Sequence, residues 1–137
     1  MKCTPYSGNR PNAAYLRQLL GTDYLIALAA LKSSEVIGGI TAHELKKFEQ
    51  QRSEIYIYDL AVSATHRREG IATALINELK KTTAARAAYV VFVQADISDE
   101  AAIALYTKLG VREDVLHFDM AVTGGRMCPA TLQWTPV

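Results

Sequence analysis

Glu54-Ile55-Tyr56-Ile57-Tyr58-Asp59-Leu60-Ala61-Val62, with His66-Arg67-Arg68-Glu69-Gly70-Ile71-Ala72-Thr73 a few residues later, decides how the rest of the chain is read. Large apolar or aromatic side chains occupy both alternation phases of 54–62, the pattern of a strand covered on both faces. After Gly70, residues Ile71, Leu75, Ile76 and Leu79 recur at spacings that line one side of a helix reaching to about Arg86. Tyr89-Val90-Val91-Phe92-Val93-Gln94-Ala95 then reads as a second core strand. Residues 54–95 therefore form a strand, helix, strand unit, whose two strands are expected to lie parallel through a right-handed crossover.

Working outward, Tyr24 to Leu31 and Val36 to Leu45 are β-rich runs joined by Lys32-Ser33-Ser34-Glu35, a linker of hairpin length. A charged loop, Lys46 to Ser53, connects this hairpin to the central strand. Pro5, Gly8 and Pro11 make residues 1–12 an irregular lead-in before a short helix over Ala14 to Leu20. On the other side, Ser98 is expected to cap a helix with Asp99 and Glu100 in its first turn. Gly110 is expected to close that helix in a left-handed conformation. Ala102, Leu105, Tyr106 and Leu109 share one of its faces. Val115 to Val122 reads as a final strand, Gly124-Gly125 breaks it, and 123–137 is a tail. The expected fold class is α/β (α+β), a central mixed twisted sheet flanked by helices, in one domain spanning 1–137.

At 137 residues, half of them hydrophobic (50%) and 21% charged, the composition suits one soluble domain with a substantial core. No apolar run reaches the roughly 18 residues of a membrane helix, and the amino terminus carries no secretory-type apolar stretch, so no membrane partner and a cytoplasmic location are expected. Cys3 and Cys128 are expected to stay reduced. Fifteen basic and 14 acidic residues are intermixed, giving a net charge of +1 and no electrostatic footprint for nucleic acid. His43, His66 and His117 show no metal-ligand spacing and read as ordinary strand or loop histidines, so no metal site is expected.

A polar turn between a buried strand and a helix is a sensible anion site, because the first helical N–H groups lack partners and the helix dipole is positive there. In Arg67-Arg68-Glu69-Gly70-Ile71-Ala72, glycine and alanine keep the surface low and two arginines add charge for a pyrophosphate. It is neither the nucleoside triphosphate loop nor the dinucleotide fingerprint, which need other residues in fixed register. On chemistry alone the turn reads equally well as a solvated helix start.

The spacing of Arg67, Gly70 and Ala72 after Leu60-Ala61-Val62 resembles the coenzyme A signature of the GNAT acetyltransferase superfamily. Ala102-Ile103-Ala104-Leu105-Tyr106-Thr107-Lys108-Leu109-Gly110-Val111 is similar to that family's later motif. Within the superfamily, Phe48-Glu49-Gln50, the run 52–62, His66-Arg67-Arg68, the run 70–77, and the run 104–110 through His117-Phe118-Asp119 resemble the type I aminoglycoside 3-N-acetyltransferases. The likeness covers roughly 15–120. It departs at both ends: the family's first strand and helix, which help wall the acceptor site, have no counterpart, and the tail after Val122 matches nothing in the family.

The resemblance implies transfer of an acetyl group from acetyl-CoA to a primary amine of a small, polycationic acceptor such as an aminoglycoside. A bulge or splay near the end of strand 54–62 is expected to free the backbone N–H groups of Leu60 and Val62, beside Ala61, for the thioester carbonyl and pantetheine arm. The phosphates are expected on Arg67, Arg68, Glu69, Gly70, Ile71, Ala72 and Thr73. Tyr106 is the residue the resemblance nominates to protonate the departing thiolate; otherwise it is a helix tyrosine packed on the sheet. Asp59 is the expected acid beside the acceptor amine, or else a carboxylate satisfied by donors at a strand bulge. Glu44, Glu54, Asp99, Glu100 and Asp119 form the pool of carboxylates for a polycation. Asp99 stands where many superfamily members carry an asparagine that touches the cofactor. Three readings stay open: an aminoglycoside acetyltransferase, an acetyltransferase for a polyamine or other small amine, and a truncated coenzyme A-binding domain without significant catalysis. A homodimer through an edge strand or the tail is expected.

Overall fold

The computed structural model describes residues 10–122. Asn12 caps the first helix, α1 (Ala13–Leu20), by accepting from the Tyr15 amide at 2.9 Å. Two strands follow, β1 (Leu25–Lys32) and β2 (Glu35–Lys46), antiparallel and closed by a two-residue turn. Ser33 and Ser34 both take positive φ, 49° and 68°, the geometry that matches a hairpin turn to strand twist. The four-residue linker of the sequence reading thus shrinks to two, because Lys32 and Glu35 already pair.

Strand β3 (Ser53–Val62) lies antiparallel to β2 on its other side. A single 3-10 turn (Ala64–His66) leads to α2 (Ile71–Ala85). The next strand, β4, is only Val91–Phe92, parallel to Ile55 and Tyr56, and the sheet order is β1-β2-β3-β4. The expected strand, helix, strand unit is present, but its second strand is two residues long instead of seven. Helix α3 (Glu100–Leu109) closes the ordered elements.

The core forms on one face of the sheet. Ile26, Ile40, Ala42, Ile55 and Ile57 meet Leu75, Ile76 and Leu79 of α2, and Leu105, Tyr106 and Leu109 of α3 pack against the same cluster. Strand β3 is not covered on both faces as its composition suggests. Ile55 and Ile57 are buried, whereas Tyr58 on the opposite face is 63% exposed among the described residues. That face instead carries a row of rings: Tyr24 against His43, His43 stacked on Tyr58 at 5.3 Å, Tyr58 against Tyr56, and Tyr56 stacked on Phe92 at 4.9 Å.

Three further expectations are corrected. Asp99, not Ser98, caps α3, accepting from the Ala102 amide at 3.0 Å. Ser98 donates its amide and hydroxyl to Asp96 instead, so its oxygen is taken up in the preceding turn. Gly110 is extended, with φ −156°, and no left-handed residue closes the helix. Val115 to Val122 is no strand; Val115, Leu116, Phe118, Met120 and Val122 are exposed and no described strand offers them a ladder. β-Propensity there lacks the pairing that converts it into structure. Gly124-Gly125, the tail and both cysteines lie outside the described residues.

At one end of the sheet a polar latch joins four segments. Glu44 of β2 accepts from the Ser53 hydroxyl at 2.7 Å and from Arg86 at 2.8 Å, while Arg86, just past α2, also donates to the Asp23 carbonyl at 2.6 Å. Ser53 first, and then Arg86, hold the Glu44 carboxyl below its ordinary value against the opposing effect of burial. A depressed carboxylate contributes stability that is fully present above the ordinary value of 4.5 and lost as the pH falls through the folded one. Replacing Glu44 with Gln is therefore expected to cost about 1–3 kcal/mol at pH 7. In urea unfolding measured across the acidic range, the gap between the two proteins should narrow below pH 4.5.

Candidate active site

The site grows from a mismatch between β2 and β3. Thr41 pairs with Asp59 and Ala42 with Ile57, so Tyr58 is an extra residue on β3 and the strand is bulged there. Ser63 donates its amide to the Ile37 carbonyl at 2.8 Å. By the alternation of an extended strand, Ala61 also points its N–H toward β2, while Leu60 and Val62 point theirs to the other side. On that side β4 pairs only as far as Tyr56. Beyond it β3 and β4 part, and the N–H groups of Leu60 and Val62 face the gap. The bulge and the splay expected from the sequence are both present.

The turn after β3 is shaped by two left-handed residues, Arg68 with φ 65° and Gly70 with φ 78°. Gly70 is the N-cap of α2 and brings no capping side chain. The N–H groups of Ile71, Ala72 and Thr73 are thus left for an outside acceptor, at the positive end of a 15-residue helix. A Cβ at Gly70 would meet nothing within 4 Å. The left-handed backbone favours glycine here, and the space above it is open. Glu69, the one acid in the turn, is drawn aside toward His66 at 3.3 Å and Lys32 at 4.0 Å. Arg67 and Arg68 are exposed and make no ion pair with the described residues. The turn presents free amides and two unpaired guanidinium groups on an uncrowded surface, and these fit a pyrophosphate.

Gly38 was not singled out by the sequence. A Cβ there would lie 3.1 Å from the Ala61 carbonyl and 3.2 Å from the Ile71 side chain. Its lack of a side chain lets the start of α2 sit down on β2 and β3, which fixes the turn relative to the gap. The only sequence signal is two adjacent glycines, Gly38-Gly39, inside a β-rich run.

The two proton-handling candidates sit on either side of the sheet. Tyr106 packs against the core cluster on the helix-bearing face. Burial first, and the charge of Asp99 second, raise its hydroxyl above the ordinary phenol value, so it stays protonated at neutral pH. Asp59 sits on the opposite face, at the bulge, and accepts from the Thr41 hydroxyl at 2.7 Å.

The expected pool of carboxylates does not converge. Glu44 is engaged by Ser53 and Arg86, Glu54 by Lys47 and the Tyr89 hydroxyl, Asp99 caps α3, and Asp119 pairs with His117. Glu100 is exposed in the first turn of α3. An open depression of about 670 Å³ lies at the latch end of the sheet, lined by Asp23, Tyr24, His43, Glu44, Leu45, Lys46 and Arg86. It stands at the far end of β2 from Gly38 and the turn, and it mixes both signs of charge.

Residues 1–111 match the acetyltransferase (GNAT) family. The chain belongs to that family, and its fold is the GNAT fold. It is similar to a crystal structure of an aminoglycoside acetyltransferase, HMB0005, from an uncultured soil metagenomic sample, with 69% identity and a TM-score of 0.81. That likeness covers 86% of this chain and 79% of the other. A second aminoglycoside acetyltransferase from such a sample, meta-AAC0020, solved in complex with sisomicin, is 28% identical with a TM-score of 0.81, over 85% of this chain and 78% of that one. A ribosomal-protein-alanine N-acetyltransferase from Brucella melitensis biovar Abortus 2308 shares the fold, at 23% identity and a TM-score of 0.72, over 84% of this chain and 78% of that one. No curated protein matches the sequence. Among the described residues no helix is long and apolar enough to cross a membrane. GNAT proteins draw their acetyl group from acetyl-CoA.

Because the space above Gly70 is open, Gly70→Glu is expected to fold and to lose acetyl-CoA affinity by at least ~10-fold, through bulk, like charge and about 1 kcal/mol of left-handed strain. Calorimetric titration with acetyl-CoA reads the affinity, and circular dichroism checks the fold.

Proposed function

We propose that the chain, as a single domain acting in the cytoplasm, transfers the acetyl group of acetyl-CoA to a primary amine of an aminoglycoside. The observation that carries the acceptor class is the 69% identity to an aminoglycoside acetyltransferase over 86% of this chain. The second such enzyme, similar to this chain and complexed with sisomicin, points the same way. The stacked rings of His43 and Tyr58 beside Asp59 add support, since flat aromatic faces suit the C–H surfaces of sugar rings and the cations they carry. A linear polyamine offers no such ring face.

In this reading acetyl-CoA supplies an activated acyl thioester, and the protein orients it. Leu60 and Val62 offer their N–H groups to the thioester carbonyl, where negative charge develops in the transition state. The amides of Ile71, Ala72 and Thr73, with Arg67 and Arg68, hold the phosphates, and Glu69 stays turned aside. Asp59 orients the acceptor ammonium and receives its proton directly or through water. Tyr106 gives its hydroxyl proton to the departing sulfur. The gap between β3 and β4 joins the two faces, so an acid on one and a phenol on the other can serve the same carbonyl carbon. Loss of one oriented proton donor costs 10²–10⁴-fold in many enzymes.

Thiol release measured with gentamicin-type aminoglycosides, with spermidine and with no acceptor tests the reading. Turnover is expected with the aminoglycosides and little with spermidine; the reverse preference overturns the acceptor class, and acetyl-CoA binding without turnover removes catalysis altogether. Tyr106→Phe is expected to lower kcat by about 10²-fold with acetyl-CoA affinity kept. Unchanged turnover removes Tyr106 from the reaction.

Strand β1 is an edge of the sheet among the described residues. We infer a homodimer that covers such an edge. Light scattering at micromolar concentration is expected to give twice the chain mass of 15.0 kDa, and a monomer there overturns it.

A further inference from the structure

We propose that Thr41 is a positioning residue for acetyl transfer, holding one oxygen of Asp59 so that the other is presented to the acceptor ammonium; this rests on the reading of Asp59 given above. Three observations lead to it. Thr41 is the β2 residue that the bulge brings opposite Asp59, since the register passes from Thr41↔Asp59 to Ala42↔Ile57 with Tyr58 left over. Its hydroxyl donates to Asp59 Oδ2 at 2.7 Å, a short bond to a half-buried acceptor. Asp59 has no cation within ion-pair distance among the described residues, whereas its strand neighbour Glu54 pairs with Lys47 and, across the sheet, Glu44 pairs with Arg86.

The chemistry follows from that difference. Glu44 and Glu54 already have their charge compensated, so an incoming ammonium gains little from either. Asp59 is restrained by a neutral donor, which fixes its rotamer without neutralising it. Its Oδ1 has no hydrogen-bond partner among the described residues, and Asp59 stands one residue before the first N–H of the gap, that of Leu60. An amine bound to that oxygen is therefore close to where the thioester carbonyl is held. The hydroxyl is worth more here than an ion pair would be: a cation in its place would compete with the substrate for the same charge.

The test is steady-state kinetics of the full chain with acetyl-CoA and a gentamicin-type aminoglycoside, comparing Thr41→Val, Thr41→Ser, Asp59→Asn and the double variant Thr41→Val with Asp59→Asn. Valine keeps the shape and removes the hydrogen bond; serine keeps the bond. Thr41→Val is expected to lose about 10-fold or more in kcat, the usual worth of a hydrogen bond to a charged group, with the KM for acetyl-CoA unchanged. Thr41→Ser is expected to retain most of the turnover, and the double variant to be no slower than Asp59→Asn alone. A Thr41→Val enzyme with full kcat, a serine variant no better than valine, or an undiminished loss in the Asp59→Asn background overturns the inference. If Thr41→Val does not fold, Thr41→Ala takes its place in the same comparison. Asp59→Asn with full turnover overturns both the role of Asp59 and that of Thr41. A slow Asp59→Asn beside a fast Thr41→Val leaves the role of Asp59 standing and overturns that of Thr41 alone.

Discussion

One extra residue in a strand organises this molecule. Tyr58 has no partner on β2, and the ladder must resume one residue out of phase. Before the bulge, Ile55 turns its N–H to the β4 side, donating to Val90 at 2.9 Å. After it, Leu60 and Val62 do so, and by then β4 has left. A strand without the bulge would continue to pair and would bury the same amides in a ladder. The placement of Asp59 and the phase of the amides are two consequences of one insertion, because the bulge that shifts the N–H phase also turns Asp59 toward Thr41.

The helix that follows depends on what is missing from it. Most helices of this length begin with a serine, threonine, aspartate or asparagine whose side chain satisfies the first amides. At Gly70 no side chain does so, and a left-handed φ of 78° favours glycine over other residues. The stability forgone at that end is compensated by burial of Leu75, Ile76 and Leu79 on the core side, each removing apolar surface worth about 1.5–3 kcal/mol. Gly38 completes the arrangement from the sheet, where a Cβ would crowd the Ala61 carbonyl and the Ile71 side chain at 3.1 and 3.2 Å.

Residues that bury a periodic face were readable in the chain: Ile71, Leu75, Ile76 and Leu79 gave the helix, and Ile55 and Ile57 gave the central strand. The left-handed start of α2 was also readable, since its geometry is local and a positive φ favours glycine. What depended on tertiary pairing was not. Val115 to Val122 has the composition of a strand and no ladder among the described residues, and Tyr89 to Ala95 keeps only two paired residues, opposite Ile55 and Tyr56. Asp99 displaced Ser98 as the helix cap because Asp96 already held the serine. Thr41 gave no signal of its own. Its significance comes from a register 18 residues apart in sequence, which no motif encodes.

Under the proposed function, the distribution of charge narrows how a polycation is recognised. A pool of carboxylates scattered through a sequence invites the reading of an acidic pocket, but in the folded chain four of the five expected members are committed to partners of their own. Glu44 and Glu54 are tied to Arg86 and Lys47, so their net field toward a ligand is small, and Asp119 shares a hydrogen bond with His117. Asp99 is spent on the amide of Ala102. Attraction for the acceptor therefore rests on few uncompensated groups, and orientation must come from shape. The ring row running from Tyr24 through His43 and Tyr58 to Tyr56 and Phe92 is rigidified by mutual stacking. Its middle ring, Tyr58, precedes Asp59, the bulge acid that pairs with no cation among the described residues, so under the proposed function an amine carried on a flat ring is seated by the rings and aimed by the acid, whereas a flexible chain of amines uses only the acid.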